Sequence, residues 1–358
     1  MKKFRNVAFA LVVIMTTIIV IACTYYNINI GAVSKDNILK EVTIESGTIE
    51  SIGITLKENN LIKDVTVFKI YTRLTNRTNL KAGIYNLSED MGVEKIVTIL
   101  EEGSIINPDE IAITFKEGIN IRKVATLISE NTNNSYEDVI SLISDTKYIN
   151  ELIDKYWFLT DTINNKDIYY SLEGYLFPNT YRFTNKDVTV EDIFTKMLDE
   201  TDRQLSKYKD KIDKSDLNIH ELITLASIVE LEGATSNDRA KVAGVFYNRL
   251  NSSSYPTLGS DATTYYASKI DDWSVSLTYK ELDDCRNKYN TRCSKNTGLP
   301  VGPICNPSIE SIEASINPEE GDYYYFVADC NGKVYLTKTS GEHYNIINKL
   351  KRENNWCA

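Results

Sequence analysis

The chain has 358 residues, with 40 Lys and Arg against 50 Asp and Glu, for a formal net charge of −10. With 42% hydrophobic and 25% charged residues, its composition is that of a folded globular protein, which excludes wholesale disorder, a collagen-like repeat and a multi-span membrane protein. The acidic balance carries no phosphate-neutralising excess and argues against nucleic acid as the main partner.

Lys2, Lys3 and Arg5 precede an uncharged stretch whose apolar heart is VAFALVVIMTTIIVIA at 7–22. A membrane span needs about 20 apolar residues, and this run with Tyr25 and Tyr26 is long enough. Basic residues stay cytoplasmic, so the body should lie outside with its N-terminus inside. A cleaved signal peptide is one alternative. Val20-Ile21-Ala22-Cys23 also resembles a lipobox, which would leave Cys23 lipidated.

The other cysteines are Cys285, Cys293, Cys305, Cys330 and Cys357, an odd set in the last quarter. Cys285 and Cys293 are spaced to close a short loop. No CxxC pair occurs, and His220 and His343 are the only histidines, so a structural zinc site is not expected.

After a polar tether at 27–40, a strand–turn–helix pattern occurs three times. The strands are expected at 42–44, 83–87 and 111–115, and the helices at 49–60, 93–100 and 121–131. Such units are too small to stand alone and should pack together. Another helix is expected at 65–74. Helical periodicity returns at 136–159 and 190–212. Between these lies an aromatic segment broken by Gly174 and Pro178. It reads first as a hydrophobic clamp and second as a sugar-stacking loop.

The next helix carries the functional reading. It begins at Asn218 or His220 and ends at Gly233, expected in the left-handed position that closes helices. Leu222, Ile223, Leu225, Ala226, Ile228, Val229 and Leu231 cover most of its circumference, so it should be buried. At about 100° per residue, Thr224, Ser227 and Glu230 share one polar seam that could line a cleft, while Glu232 projects toward the apolar side. Partial burial and the negative end of the helix dipole should favour the protonated form of Glu230, as a general acid requires. A second helix, capped by Ser236, Asn237 or Asp238, buries Val242, Val245, Phe246 and Leu250. A hairpin around Asn331-Gly332 and a helix from His343 to Lys351 complete the pattern. His343 reads as a capping or core residue before a base.

Seven strings occur in order: LEGYLFPNTY (172–181), ASIVELEG (226–233), DRAKVAGVFYNRL (238–250), SDAT (260–263), YNT (289–291), GLPVGPICNP (298–307) and YYFVAD (324–329). Together they resemble the MltG (YceG-like) family of endolytic murein transglycosylases. The family pattern departs at Gly259 (usually Gln), Ala262 (usually Pro) and Asn179 (usually Asp). The resemblance implies an α+β fold: an N-terminal transmembrane helix, a LysM-like βα repeat module, and a mixed helical catalytic domain with a small C-terminal sheet. In numbers, these are a cytoplasmic tail at 1–6, a span at 7–26, a tether at 27–40, the LysM-like module at 41–110, a connecting α/β segment at 111–215 and the catalytic domain at 216–358.

It also implies cleavage of the MurNAc-β-1,4-GlcNAc bond to leave a 1,6-anhydroMurNAc end, with Glu230 as catalytic acid. Glu173, Ser260, Asp261 and Asn290 are supporting or substrate-binding candidates, and Asp261 is the second carboxylate if the reaction is hydrolysis. No cofactor or metal is expected. The expected partners are peptidoglycan strands, the membrane and peptidoglycan synthases. The alternatives are a noncatalytic glycan-binding scaffold, a muramidase-type hydrolase and a tethered solute-binding lipoprotein. A serine hydrolase fits poorly, because G-x-S-x-G is absent from the sequence.

Overall fold

A computed structural model describes residues 2–35, 37–45, 47–103, 110–233, 235 and 238–356, with side chains from residue 13 onward. The chain divides into two compact units, Met1–Glu110 and Ile111–Ala358.

The first unit opens with α1 (Lys2–Ile30). Its segment Val13–Ile30 is, among the described residues, the one helix long and apolar enough to cross a membrane. Then follow β1 (Lys40–Ile44), α2 (Ile49–Glu58), α3 (Val65–Leu74), β2 (Gly83–Leu87) and α4 (Val93–Glu102). Thr48 and Asp64 cap α2 and α3 by accepting from the Ser51 and Val67 amides. β1 and β2 pair antiparallel, with Val42 opposite Tyr85. The helices close over them through Leu56, Phe68, Ile96 and Leu100.

The three-copy repeat does not survive as one array. The third strand, β3 (Ile111–Phe115), belongs to the second unit and pairs antiparallel with β4 (Asn179–Phe183). Local alternation marks a strand but carries no information about its partner.

Between these strands run α5 (Ile121–Asn131), α6 (Tyr136–Ser144) and α7 (Thr146–Lys155). After β4 come α8 (Val190–Leu205), α9 (Lys209–Ile212), α10 (Ile219–Glu232), α11 (Arg239–Leu250), α12 (Asp261–Ala267), α13 (Tyr279–Leu282) and α14 (Ile309–Ile316). The chain then forms the antiparallel hairpin β5 (Tyr325–Ala328) and β6 (Val334–Thr337), and ends with α15 (Ser340–Arg352).

α10 is apolar all round because two cores share it. Leu222, Ile223 and Ala226 face the cluster built on α5 to α8. Leu225, Ile228 and Val229 face the cluster built on α11 and α12. A capping box between Asn218 and Glu221 starts the helix. Gly233 ends it, but with φ −83° rather than left-handed backbone. A side chain there would come within 2.9 Å of the Val229 carbonyl and the Arg239 Cγ, so close approach, not torsion, calls for glycine.

The aromatic segment before β4 is a clamp. Leu172, Tyr175 and Leu176 are buried. Gly174 takes φ +85° against Pro303, whose Cβ would stand 2.4 Å from an added methyl group. The Tyr175 hydroxyl donates to His220 Nδ1 (2.8 Å), and His220 Nε2 donates to the Val301 carbonyl (3.1 Å).

Cys285 and Cys293 form a disulfide, and Cys330 is also disulfide-bonded. Cys305 is a buried free thiol, and Cys23 is free and exposed. Cys357, like the proposed caps Ser236 and Asn237, lies outside the described residues.

Candidate active site

The polar seam of α10 does not line a cleft. The irregular segment 301–306 covers it. The Thr224 hydroxyl donates to the His220 carbonyl (2.7 Å) and the Ser227 hydroxyl to the Thr224 carbonyl (2.7 Å). Ser227 Oγ in turn accepts from the Ile304 amide at 3.0 Å.

Glu230 continues that covered seam. Arg239 Nη2 donates to its Oε1 at 2.9 Å. Its Oε2 accepts from the Ser308 amide (2.9 Å), the Ser308 hydroxyl (2.5 Å) and the Ser311 hydroxyl (2.7 Å). The side chain is 7% exposed. Four donors converge on it and tie α10 to the start of α14 and to α11.

Two residues on, Glu232 faces the other way. It lines a polar cleft of about 370 Å³ with Arg249, Ser260, Asp261, Arg292 and His343. The seam geometry put Glu232 on an apolar side. That holds within the helix, but α10 stops at Glu232, and the core that would have covered this direction ends there. The Ser260 hydroxyl donates to Glu232 Oε1 at 2.6 Å. Enclosure by protein raises the Glu232 carboxyl above its ordinary range. Asp261 adds to the rise, and Ser260, Arg249 and Arg292 oppose it.

Two of the supporting candidates reach this cleft. Ser260 is the N-cap residue of α12, and its amide donates to the Thr291 hydroxyl oxygen (3.1 Å). Asp261 follows it, 58% exposed and ion-paired to Arg292 Nη1 at 3.0 Å. Asn290 is not in the cleft wall. It is buried, accepting from the Thr264 hydroxyl (3.0 Å) and donating to the Glu281 and Leu282 carbonyls (3.0 and 3.1 Å).

Glu173 is buried as well. Its carboxyl accepts from the Ile121 amide (3.1 Å) and the Tyr266 hydroxyl (2.8 Å), which joins the clamp segment to α5 and α12. Burial pushes Glu173 up to about 7 against those donors. A raised pKa therefore does not by itself mark a reacting group; the group must also reach a cleft.

Sequence reasoning missed Arg249, Arg292 and Tyr325. Arg249 sits in the DRAKVAGVFYNRL string, where it is one of three basic residues on α11 with Arg239 and Lys241, so its charge alone did not single it out. Its Nε donates to the Tyr324 carbonyl (2.7 Å), and its guanidinium lies over the Tyr325 ring. His343, expected as a cap or core residue, is half-buried in the cleft wall with its ring 5.3 Å from that of Tyr325. Among the described residues, no group of three or more His, Cys, Asp or Glu side chains converges as metal ligands.

A carboxyl whose pKa is raised by enclosure faces a groove lined by Arg249 and Arg292, an arrangement that suits single-carboxyl acid–base chemistry. The sequence model of the YceG-like family matches residues 42–349, and the chain belongs to that family. It is 36% identical over 315 residues to the endolytic murein transglycosylase of Bacillus subtilis (strain 168), covering 87% of this chain and 84% of that protein. It is 35% identical over 321 residues to the endolytic murein transglycosylase of Streptococcus pneumoniae serotype 2, covering 86% of this chain but 58% of that longer relative. In fold it is similar to a yceG-like protein from Listeria monocytogenes solved by crystallography. That likeness has a TM-score of 0.60 at 37% identity and covers 86% of this chain and 99% of the other.

Proposed function

We propose that the chain is an endolytic peptidoglycan lytic transglycosylase in which Glu232, rather than Glu230, is the catalytic carboxyl. The observation that carries the assignment is the contrast on α10: Glu232 opens on a cleft with its proton-bearing form favoured, whereas Glu230 is saturated by four donors. The kinship with relatives named endolytic murein transglycosylase supports the substrate class.

Glu232 gives its proton to the glycosidic oxygen between MurNAc and GlcNAc as the C1–O bond breaks. Positive charge develops at C1, and Asp261 in the same cleft offsets it. The Glu232 carboxylate then takes the proton of the MurNAc C6 hydroxyl as that oxygen bonds to C1. The products are a 1,6-anhydroMurNAc end and a free GlcNAc hydroxyl; no water is consumed, and Glu232 ends protonated as it began. Ser260, hydrogen-bonded to Oε1, orients the carboxyl through both steps.

The strand–helix–helix–strand order of the first unit supports reading it as a LysM-like glycan contact. With α1 as a single-pass anchor and Lys2, Lys3 and Arg5 inside, the body lies outside the membrane. The Cys285–Cys293 disulfide suits an oxidising compartment. Anchored there, the enzyme would shorten or terminate nascent strands beside the synthases. Lipidation at Cys23 is the competing mode of attachment.

The test is mass spectrometry of purified glycan strands after incubation with the chain. Anhydro ends from the wild type and none from Glu232→Gln support the reading. Reducing ends would assign a hydrolase using Asp261, and undiminished cutting by Glu232→Gln alongside a folded but inert Glu230→Gln would return the role to Glu230. Strands bound but left uncut by the wild type would leave a noncatalytic scaffold.

A further inference from the structure

The mechanism leaves a second cleft unused. It measures about 450 Å³, within the range of small-ligand sites, and is lined by Asn120, Arg122, Tyr136, Tyr266, Asp271 and Trp273 among others. It abuts the acid's cleft. On α10, Leu231 lines this one and Glu232 the other; on α12, Ala262 lines this one and Asp261 the other. Consecutive Cα atoms stand about 3.8 Å apart, so the two hollows meet across the ends of α10 and α12.

Its wall carries a braced aromatic surface. The Trp273 and Tyr265 rings stack with centroids 5.4 Å apart and planes 10° apart, and Trp273 is 49% exposed. The Tyr265 hydroxyl donates to the Val275 carbonyl at 2.9 Å. Asp271 accepts from Asn120 Nδ2 (2.7 Å) and from Arg122 Nε and Nη2 (3.0 and 2.5 Å), which fastens the same loop to the start of α5. The loop is held on both sides of Trp273, so little ordering remains to oppose a ligand. Arg122 supplies an unfilled donor: its Nη1 is buried without a hydrogen-bond partner, while the guanidinium lies over the Tyr266 ring at 5.2 Å. An unpaired buried donor in a cleft wall is a group that an entering acceptor can satisfy.

A cut inside a strand needs sugar on both sides of the broken bond. We infer that this second cleft is the other half of the glycan groove: it takes a sugar of the strand beyond the scissile bond, the ring's C–H face on the Trp273 indole and a sugar oxygen accepting from Arg122 Nη1. The inference rests on the transglycosylase reading for the identity of the ligand. The partly exposed indole, rather than the buried aromatics of the clamp at 172–181, is then the stacking surface.

The probe is a GlcNAc–MurNAc oligosaccharide of eight sugars, titrated calorimetrically into the detergent-solubilised full chain carrying Glu232→Gln. Adding Trp273→Ala weakens binding about tenfold, the loss expected for removing one aromatic face, and Trp273→Phe restores most of it. Tryptophan emission shifts on adding the octasaccharide and loses that shift in Trp273→Phe. In the chain with Glu232 intact, Trp273→Ala moves cuts toward strand ends. Unchanged affinity, emission and cut positions in Trp273→Ala would sink the inference while leaving the Glu232 assignment standing. Undiminished cutting by Glu232→Gln would instead remove the assignment and leave the Trp273 titration to be judged on its own.

Discussion

Glu230 and Glu232 stand two residues apart on one helix, and each serves what the other cannot. Glu230 holds Arg239, Ser308 and Ser311 together under the covered seam, whereas Glu232 accepts from Ser260 at the edge of an open cleft. A separation of two residues turns a side chain by about 200° on a helix. One SIVELE string therefore supplies both a brace and the proposed acid.

The two substitutions should separate cleanly. Glu232→Gln should abolish strand cleavage with little change in melting temperature, because it keeps the shape and the Ser260 contact. Glu230→Gln removes the charge facing Arg239 and should cost about 2 kcal/mol of stability. Its activity at low temperature should remain well above that of Glu232→Gln. Denaturant titration and anhydro-end release, measured on the same preparations, check both.

Ser260 donates to the carboxylate form of Glu232 and so holds its raised pKa down. Removing that donor in Ser260→Ala should raise it further. The step that needs protonated Glu232 then persists to higher pH. The alkaline limb of the kcat profile should move upward, and a limb that stays put or moves down would contradict the role given to Ser260.

Glu173 gives a stability prediction with a definite sign. Its folded value of about 7 lies above the ordinary carboxyl value of 4.5, so between those values the folded state binds the proton more tightly than the unfolded state does. Its contribution to stability is greatest below pH 4.5 and declines as pH rises toward 7. Glu173→Gln cannot titrate. The wild-type melting temperature should fall relative to that of the variant between about pH 5 and pH 8. Parallel melting curves across that range would refute the assignment.

Gly174 has φ +85° and faces Pro303 with no room for a Cβ. Gly174→Ala combines left-handed strain with a clash and should cost about 2–3 kcal/mol. Because the clamp positions the segment that covers the α10 seam, thermal unfolding should begin there. Hydrogen exchange at Leu172, Tyr175 and Leu176 reports it.

Much of this arrangement was legible residue by residue. The helix from Asn218 to Gly233, the strands at 83–87 and 111–115, and the helix at 65–74 follow from caps and periodicity, which act over a few residues. The ordered strings carried the family. Ser260 and Asp261 were found because they stand in one of those strings and also reach the cleft.

The sequence by itself determined that α10 is buried, that it ends in carboxylates, and that the chain is kin to wall-cutting relatives. Only the tertiary structure decided which carboxylate meets the groove. Ser308 arrives 78 positions after Glu230 and Ser260 arrives 28 after Glu232. It likewise decided that β3 pairs with β4 rather than with its apparent repeats, and that Asn290 and Glu173 brace the interior. Helix periodicity fixes the angle between two side chains, but whether each direction holds solvent or protein depends on segments folded in from far along the chain.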